Sequence, residues 1–497
     1  MMEKAMHRLR RAALAMISSE CLFMFAWLVV WGVLTMGPLL WYQDRVMAFD
    51  SYVMIPWGVV LCVLLLQRGV RREGLPRRTD IAVLAVLALW VIVPFALRFG
   101  MTTVNVSSWH GFLTAYFGIY VSASLKTAQE RERMLDLAAA LFAALSLVLG
   151  AAALGCAAGV RLYGQYDGVY GFGVGADGLL RIGQHHNSTG MLAMICTLMC
   201  LIGVCRRKHP LAKAAHLIPA LMMAAVTVLS QSRTSRYSLL AALALGAYGW
   251  IVCGGLPCGR LRGAAMRHAA GLLAGVLVFF AGYAAASLGT DAAMLHYSRA
   301  SARGSEAAQR TVIAAALAEE TEKQPAAEEK KPAEQSEKKT AYVARGAGEA
   351  TFTGRTAIWK NVFRLWRENP KHFVIGQGAG RTGSQIVEGT GLEAGGSATV
   401  HNTYLQFAAD FGLIGFALLA VFLGLLVGPC LRVFYAGRAE DRVLCMIAAA
   451  CLITGLMESD PFASMRFCNA ALLFVFAMIM GRSGDMISLE SAHKRVV

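Results

Sequence analysis

The sequence predicts an all-α polytopic membrane protein with about twelve transmembrane helices and one large extracytoplasmic loop that carries an amphipathic helix. Three observations lead there. The chain of 497 residues is 57% hydrophobic and only 16% charged, against roughly 25% charge in a soluble protein. Its charges are segregated into short clusters between long uncharged runs. Those clusters are mostly basic and fall in alternate loops, as expected when basic residues stay on the cytoplasmic side.

Backbone groups in hydrocarbon must bond within their own segment, so the apolar runs are read as helices; the dyad alternation of a membrane barrel is absent. Runs near 20–40, 52–67, 80–97, 109–125, 135–158, 189–205, 215–230, 236–254 and 266–289 form a first membrane block, 1–289. A polar insertion, 290–400, follows, and then runs near 403–428, 441–457 and 467–481 within a second block, 401–497. Residues 1–40 begin with Lys4, Arg8, Arg10 and Arg11. With no small-residue cleavage site after the apolar run, they read as a retained first helix.

Placing both termini in the cytoplasm puts 25 Lys and Arg in the inward segments and 7 in the short outward loops. The net charge of +16 is then mainly a topology signal with anionic membrane lipid as its partner, and nucleic acid is not implied. None of the 12 cysteines falls within 290–400 and no CxxC pair exists. Neither a zinc site nor a disulfide framework is supported, and no metal or other cofactor is expected.

Within the insertion, 319–340 (EETEKQPAAEEKKPAEQSEKKT) has no large apolar side chain and reads as a solvated linker. Over 354–370, Ile358, Trp359, Val362, Phe363 and Trp366 recur at helical spacing among Arg355, Lys360, Arg364 and Arg367, and Pro370 ends the pattern. This predicts an amphipathic helix on the outer membrane surface or against the bundle. Its aromatics could be interfacial anchors or part of a substrate site.

Arginine on the outer side is what needs explaining, because topology depletes it there and a guanidinium at a membrane boundary is costly without a partner. Arg181 lies in RIGQHHNSTG, Arg233 and Arg236 in SQSRTSR, Arg355 opens the amphipathic helix, and Arg381 follows a glycine-rich turn. The planar guanidinium fork suits phosphate oxygens. Arg181, Arg233 and Arg355 are therefore candidates to cradle a pyrophosphate, while Arg236 and Arg466 are read as snorkelling to lipid phosphate. His401 and Asn402 open a predicted transmembrane helix, whose positive N-terminus favours an anion and keeps an imidazole neutral for base work. Asn402 could bond the helix start or a sugar hydroxyl. Gly412 and Gly415 would let another helix approach closely. Asp410, some two turns below His401, could pair with an arginine, orient an acceptor or be structural; Glu458 and Asp460 at the outer end of another span are suspects of the same kind.

Other signals carry less. GAGRTG at 378–383 fits a dinucleotide fingerprint but has no βαβ unit around it. His185-His186-Asn187 could ligate a metal, yet adjacent histidines lack a second pair at helical spacing, so loop or glycan contact is the reading. YGQYDGVYGFG at 163–173 suits either sugar contact or a flexible loop.

His401-Asn402, nine residues, and then Gly412-Leu413-Ile414-Gly415 resemble the signature of the O-antigen ligase family. Phe416 stands where that family usually has Thr or Tyr. Ser232-Arg233 resembles its Ser-Arg at the outer end of a helix, Gly354-Arg355 with Trp359 its GR-x-x-x-W helix start, and Gly376-Gln377-Gly378 its later GxG turn. The resemblance covers roughly 180–430. It implies a bacterial cytoplasmic-membrane glycosyltransferase that moves a glycan from a polyprenyl-pyrophosphate carrier to an acceptor hydroxyl on a glycan, lipid or protein. His401 would position or deprotonate that hydroxyl and Arg233 and Arg355 would hold the pyrophosphate. Arg181, Ser232, Arg381, Asn402 and Asp410 are the further substrate-binding candidates, and no metal is implied. A polysaccharide polymerase shares this architecture and differs in its acceptor. A secondary transporter or flippase would show paired repeats and broken helices near the midplane, and a scaffold would tolerate loss of His401 and the arginines.

Overall fold

A computed structural model describes residues 127–158, 172–174, 179–182, 186–254, 263–292, 355–377, 400–458 and 467–496, with scattered positions between 23 and 85 and residue 386. The expected helix 109–125, the linker 319–340 and Arg381 lie outside the described residues, as do nearly all of 20–40 and 80–97 and part of 52–67.

The described chain is mostly helical. Helix α1 spans Ala128–Ala157, α2 His186–Arg206, α3 Pro210–Leu229, α4 Arg233–Val252 and α5 Ala264–Ala292. After the insertion come α6, Arg355–Glu368, and the short α7, Pro370–Ile375. Helices α8, Thr403–Ala436, α9, Ala439–Thr454, and α10, Phe467–Val496, complete it. Each expected span within the described residues is thus a helix. Six are long and apolar enough to cross a membrane: α1, α2, α3, α5, α8 and the Ala471–Ser488 part of α10. Helix α9, with 16 residues, is shorter than that class and α4 also falls outside it.

Local chemistry sets the helix starts. Thr127 and Glu130 form a capping box in which each side chain accepts the other's backbone N–H, satisfying two donors that the first turn leaves open. Pro210 opens α3, where the missing N–H costs nothing. Helix α2 is apolar around its whole circumference and sits in the middle, with α1, α3, α4 and α9 packed on it. Helix α5 is the opposite case, its Leu272, Leu273, Leu277 and Phe280 exposed as a lipid-facing helix would have them.

Two features depart from the expectation. A two-stranded antiparallel hairpin, β1 Phe172–Val174 and β2 Leu180–Ile182, precedes α2, with Gly173 opposite Arg181. The tyrosine- and glycine-rich run before it gives no periodicity from which strands could be read. The second departure is in α8, which breaks at Gly412 (φ 67°, ψ −166°), a conformation essentially restricted to glycine. Gly376, at φ 72° and ψ −179°, ends α7 in the same region. The two glycines meet: a Cβ on Gly412 would strike Val374 O and Gly376 N, and one on Gly376 would strike the Asp410–Phe411 peptide. The backbone N–H of Gln377 donates to Ala409 O at 2.8 Å, satisfying a carbonyl next to the break. Gly412 therefore admits α7, whereas Gly415 faces Phe411 of its own helix.

Candidate functional site

Helix α8 starts with Asn402 as its cap. The Asn402 side-chain oxygen accepts from Leu405 N–H at 2.9 Å and its amide donates to Leu456 O at 2.9 Å. Of the two roles open to Asn402, the structure shows the helix start. Thr403 continues the stitching, its N–H donating to Gly455 O at 2.8 Å and its hydroxyl to Glu458 O at 2.6 Å. The beginning of α8 and the end of α9 are thereby one unit.

At its centre is the carboxylate of Glu458, 6% exposed. Arg355 Nη2 donates to Oε1 at 2.8 Å and Asn187 Nδ2 donates to the same oxygen at 3.0 Å. His401 Nδ1 faces Oε2 at 3.5 Å, a long contact. Three places, the first turns of α2 and α6 and the residue before the α8 cap, thus send an amide, a guanidinium and an imidazole to one buried carboxylate. A buried charge is tolerated when it is paired and hydrogen-bonded in this way.

His401 has φ 52°. Among the described residues only Gln231 (φ 53°) shares a positive φ without being glycine. Each lies one residue before a helix cap, Ser232 of α4 and Asn402 of α8. Strain of this kind collects at functional sites. Ser232 is fully buried, its hydroxyl accepting from Ser235 N at 3.4 Å and donating to Ser235 Oγ at 2.9 Å. The hydroxyl of Ser235 donates to Asn187 O at 3.4 Å, which holds the start of α4, where Arg233 is the first residue, against the first turn of α2. Arg236 turns to Thr290 of α5, Nη1 to Oγ1 3.3 Å.

Arg181 reaches the same end through the hairpin, where Ile182 N–H donates to Thr189 Oγ1 of the first turn of α2 at 3.0 Å. His186 and Asn187 belong to that turn, not to a loop, and His186 is buried. Asp410 accepts from Gln406 Nε2 at 3.0 Å while Gln406 Oε1 accepts from Val400 N–H at 2.8 Å. Asp410 therefore braces the residue that precedes His401. The amphipathic helix α6 buries Ile358 and Val362 against Ile386, Val400 and Ala409, and Trp359 Nε1 donates to Val400 O at 2.9 Å.

The structure brings Arg355 and His401 to one carboxylate, Glu458, a shared partner that the sequence did not assign to them. Glu458 was visible only as one carboxylate near a span end. Its separation from His401 and Arg355, 57 and 103 residues, is one that no periodicity encodes.

An apolar helical bundle with a polar, partly strained cluster at one end has the character of a polytopic membrane protein. Residues 218–420 match a family described as O-antigen ligase, so this part of the chain is similar to that family. The matched stretch contains Ser232, Arg233, Arg355, His401, Asn402 and Asp410, whereas Arg181, Asn187 and Glu458 lie outside it. No curated protein and no solved structure matches the chain.

Proposed function

We propose that this protein transfers a glycan from a polyprenyl-pyrophosphate carrier to an acceptor hydroxyl at the outer face of the bacterial cytoplasmic membrane, in the manner of an O-antigen ligase. The observation that carries this reading is the convergence of Arg355 and His401 on the buried Glu458 carboxylate. The orientation follows the basic residues: both termini and the Arg206 and Arg438 loops are cytoplasmic, and the loop before His401 is extracytoplasmic.

In the reaction, His401 takes the proton of the acceptor hydroxyl as its oxygen attacks the anomeric carbon. The bond from that carbon to the pyrophosphate oxygen breaks, and the polyprenyl pyrophosphate leaves with the electron pair. Glu458 holds the imidazole by Nδ1, the orienting task that a carboxylate performs for a catalytic histidine. Arg355 and Arg233, with Arg181, hold the leaving group as its negative charge grows. The energy resides in the donor itself, so neither ATP nor an ion gradient is required, and no metal is assigned a step.

The test is reconstitution of the purified protein with a polyprenyl-pyrophosphate glycan from its host and candidate acceptors, without ATP or a gradient, beside His401→Ala. Release of polyprenyl pyrophosphate with a His401-dependent product is expected. Product on a separate acceptor identifies a ligase and chain growth a polymerase. No turnover with native substrates overturns the transferase reading.

A further inference from the structure

Helices α6 and α7 form a roof whose residues are only partly used by the protein. Ile358 and Val362 are buried against the α8 start. Reading round the helix from that face, Trp366 comes next, then Phe363, and then the basic Arg367 and Lys360. Phe363 is 50% exposed, and Phe373 and Val374 of α7 are 42% and 45% exposed. Trp366 joins them, packing edge-to-face on Phe363 and on Phe373 with ring centroids 5.3 and 5.5 Å apart. The result is a contiguous aromatic patch bordered by Lys360, Arg367 and Lys371, beside a core that would have had no use for exposed rings.

The depth of this patch follows from the break in α8. The unbroken stretch from Leu413 to Ala436 is about 36 Å long at 1.5 Å per residue, enough to cross a hydrocarbon core of about 30 Å. Gly412 then stands at the membrane boundary, and α7 is seated on Gly412 through Val374 and Gly376. Aromatic rings at that level, with basic side chains beside them, have the composition of an interfacial anchor.

We propose that the roof formed by α6 and α7 docks into the headgroup layer of the membrane the protein spans, with Phe363, Trp366, Phe373 and Val374 among the upper acyl chains and Lys360, Arg367 and Lys371 on anionic lipid phosphates. Charge complementarity selects this occupant over a second copy of the chain, whose roof would bring the same cations. The docking also explains why Arg355 opens the same helix: it is held at the depth of lipid phosphates, where the pyrophosphate of a lipid-linked donor would arrive. The inference rests on the membrane placement proposed above but not on the transfer chemistry.

The test replaces Phe363 or Phe373 by the photoreactive benzoylphenylalanine in the full chain, reconstituted in phosphatidylglycerol and phosphatidylcholine bilayers, with the exposed Glu368 position as control. Val374 is a third position should either aromatic replacement fail to accumulate. Irradiation is expected to give protein–lipid adducts at 363 and 373, enriched in phosphatidylglycerol, with loss of the adduct at 368. Combined Lys360→Gln, Arg367→Gln and Lys371→Gln is expected to abolish the phosphatidylglycerol enrichment. Cross-links between two copies of the chain, or equal lipid adducts at 363 and 368, overturn the proposal. Failure of glycan transfer with normal adducts would instead count against the transferase reading alone.

Discussion

The two ends of the helical bundle use charge in different ways. At the Arg482 end, the termini of α1, α2 and α9 and the middle of α10 meet in a lattice of matched ions. Arg206 pairs with Asp136 at 2.8 Å and Glu132, Arg438 with Glu440 at 3.1 Å and Glu132, Arg482 with Asp441 at 3.2 Å and Glu132, and Arg131 with Asp485. Carboxylates and guanidiniums alternate through this lattice. At the His401 end, one carboxylate, Glu458, serves an amide, a guanidinium and an imidazole, and the imidazole sits on a strained backbone. Matched permanent charges fasten helices together; a single carboxylate orienting chemically different donors prepares a site. The comparison also revises the charge count. Basic residues read from sequence as a signal to anionic lipid are, for Arg131, Arg206, Arg438 and Arg482, paired with carboxylates inside the protein.

The largest effect that would break this contrast lies in the lattice. Arg482→Met keeps the length of the side chain and removes its charge, leaving Asp441, whose side chain is 2% exposed, without that partner. Removing one member of a buried pair costs about 3–5 kcal/mol, so thermal unfolding in detergent should shift sharply downward. Transfer per folded molecule should stay the same, and a selective loss of turnover would show that the Arg482 end takes part in function. Arg355→Ala makes the mirror prediction. Loss of one donor to a developing oxyanion costs about 10²–10³ in rate, while Glu458 keeps Asn187 at 3.0 Å and the fold survives. Initial rates on reconstituted protein decide it, and undiminished transfer removes Arg355 from the site. Arg233→Ala is expected to behave alike.

Gly412→Ala comes next and tests what joins the roof to the site. Its backbone conformation alone costs about 1–3 kcal/mol for a residue with a Cβ, and the collision with Val374 O and Gly376 N adds to that. Because α7 and the Thr403–Phe411 segment share this seat, stability and transfer should fall together, unlike in either previous variant. Limited proteolysis of α6 and α7 in the folded variant would report the loosened roof, and unchanged cleavage would mean that the seat is not what holds it.

These sites were unequally legible in the sequence. The helices were readable because apolar runs of span length have few alternatives in lipid. Ile358 and Val362 were readable as a face because four residues make about one turn. His401 and Arg355 stood out because polar residues at the edge of apolar runs are costly and need a reason. The break at Gly412 was not readable, since a glycine in an apolar run serves close helix packing equally well, and its conformation is fixed by Gly376 from a different segment. The partners of Glu458 and Asn187 were hidden for a related reason: the two meet only when α2, α8 and α9 close around the same point. Arg236, with a sequence context close to that of Arg233, donates to the Thr290 hydroxyl on α5, a partner its local sequence does not reveal.

The smallest predicted effect calibrates the rest. Arg364 and Glu368 form an ion pair at 3.5 Å across one turn of α6, with side chains 45% and 55% exposed. It has the same charges as the Arg482 lattice and lies on the same helix as Arg355, so it isolates burial as the variable. Water screens such a pair, and ordering two long side chains offsets most of the attraction, leaving about 0.3–0.5 kcal/mol. Arg364→Gln should therefore barely move the unfolding transition and leave transfer intact, and raising the salt concentration should erase even that difference. A shift approaching that of Arg482→Met would mean that ion pairs in this protein stabilise it regardless of burial. The lattice would then lose its claim to be a distinct structural device, and only the chemistry around Glu458 would still separate the two ends.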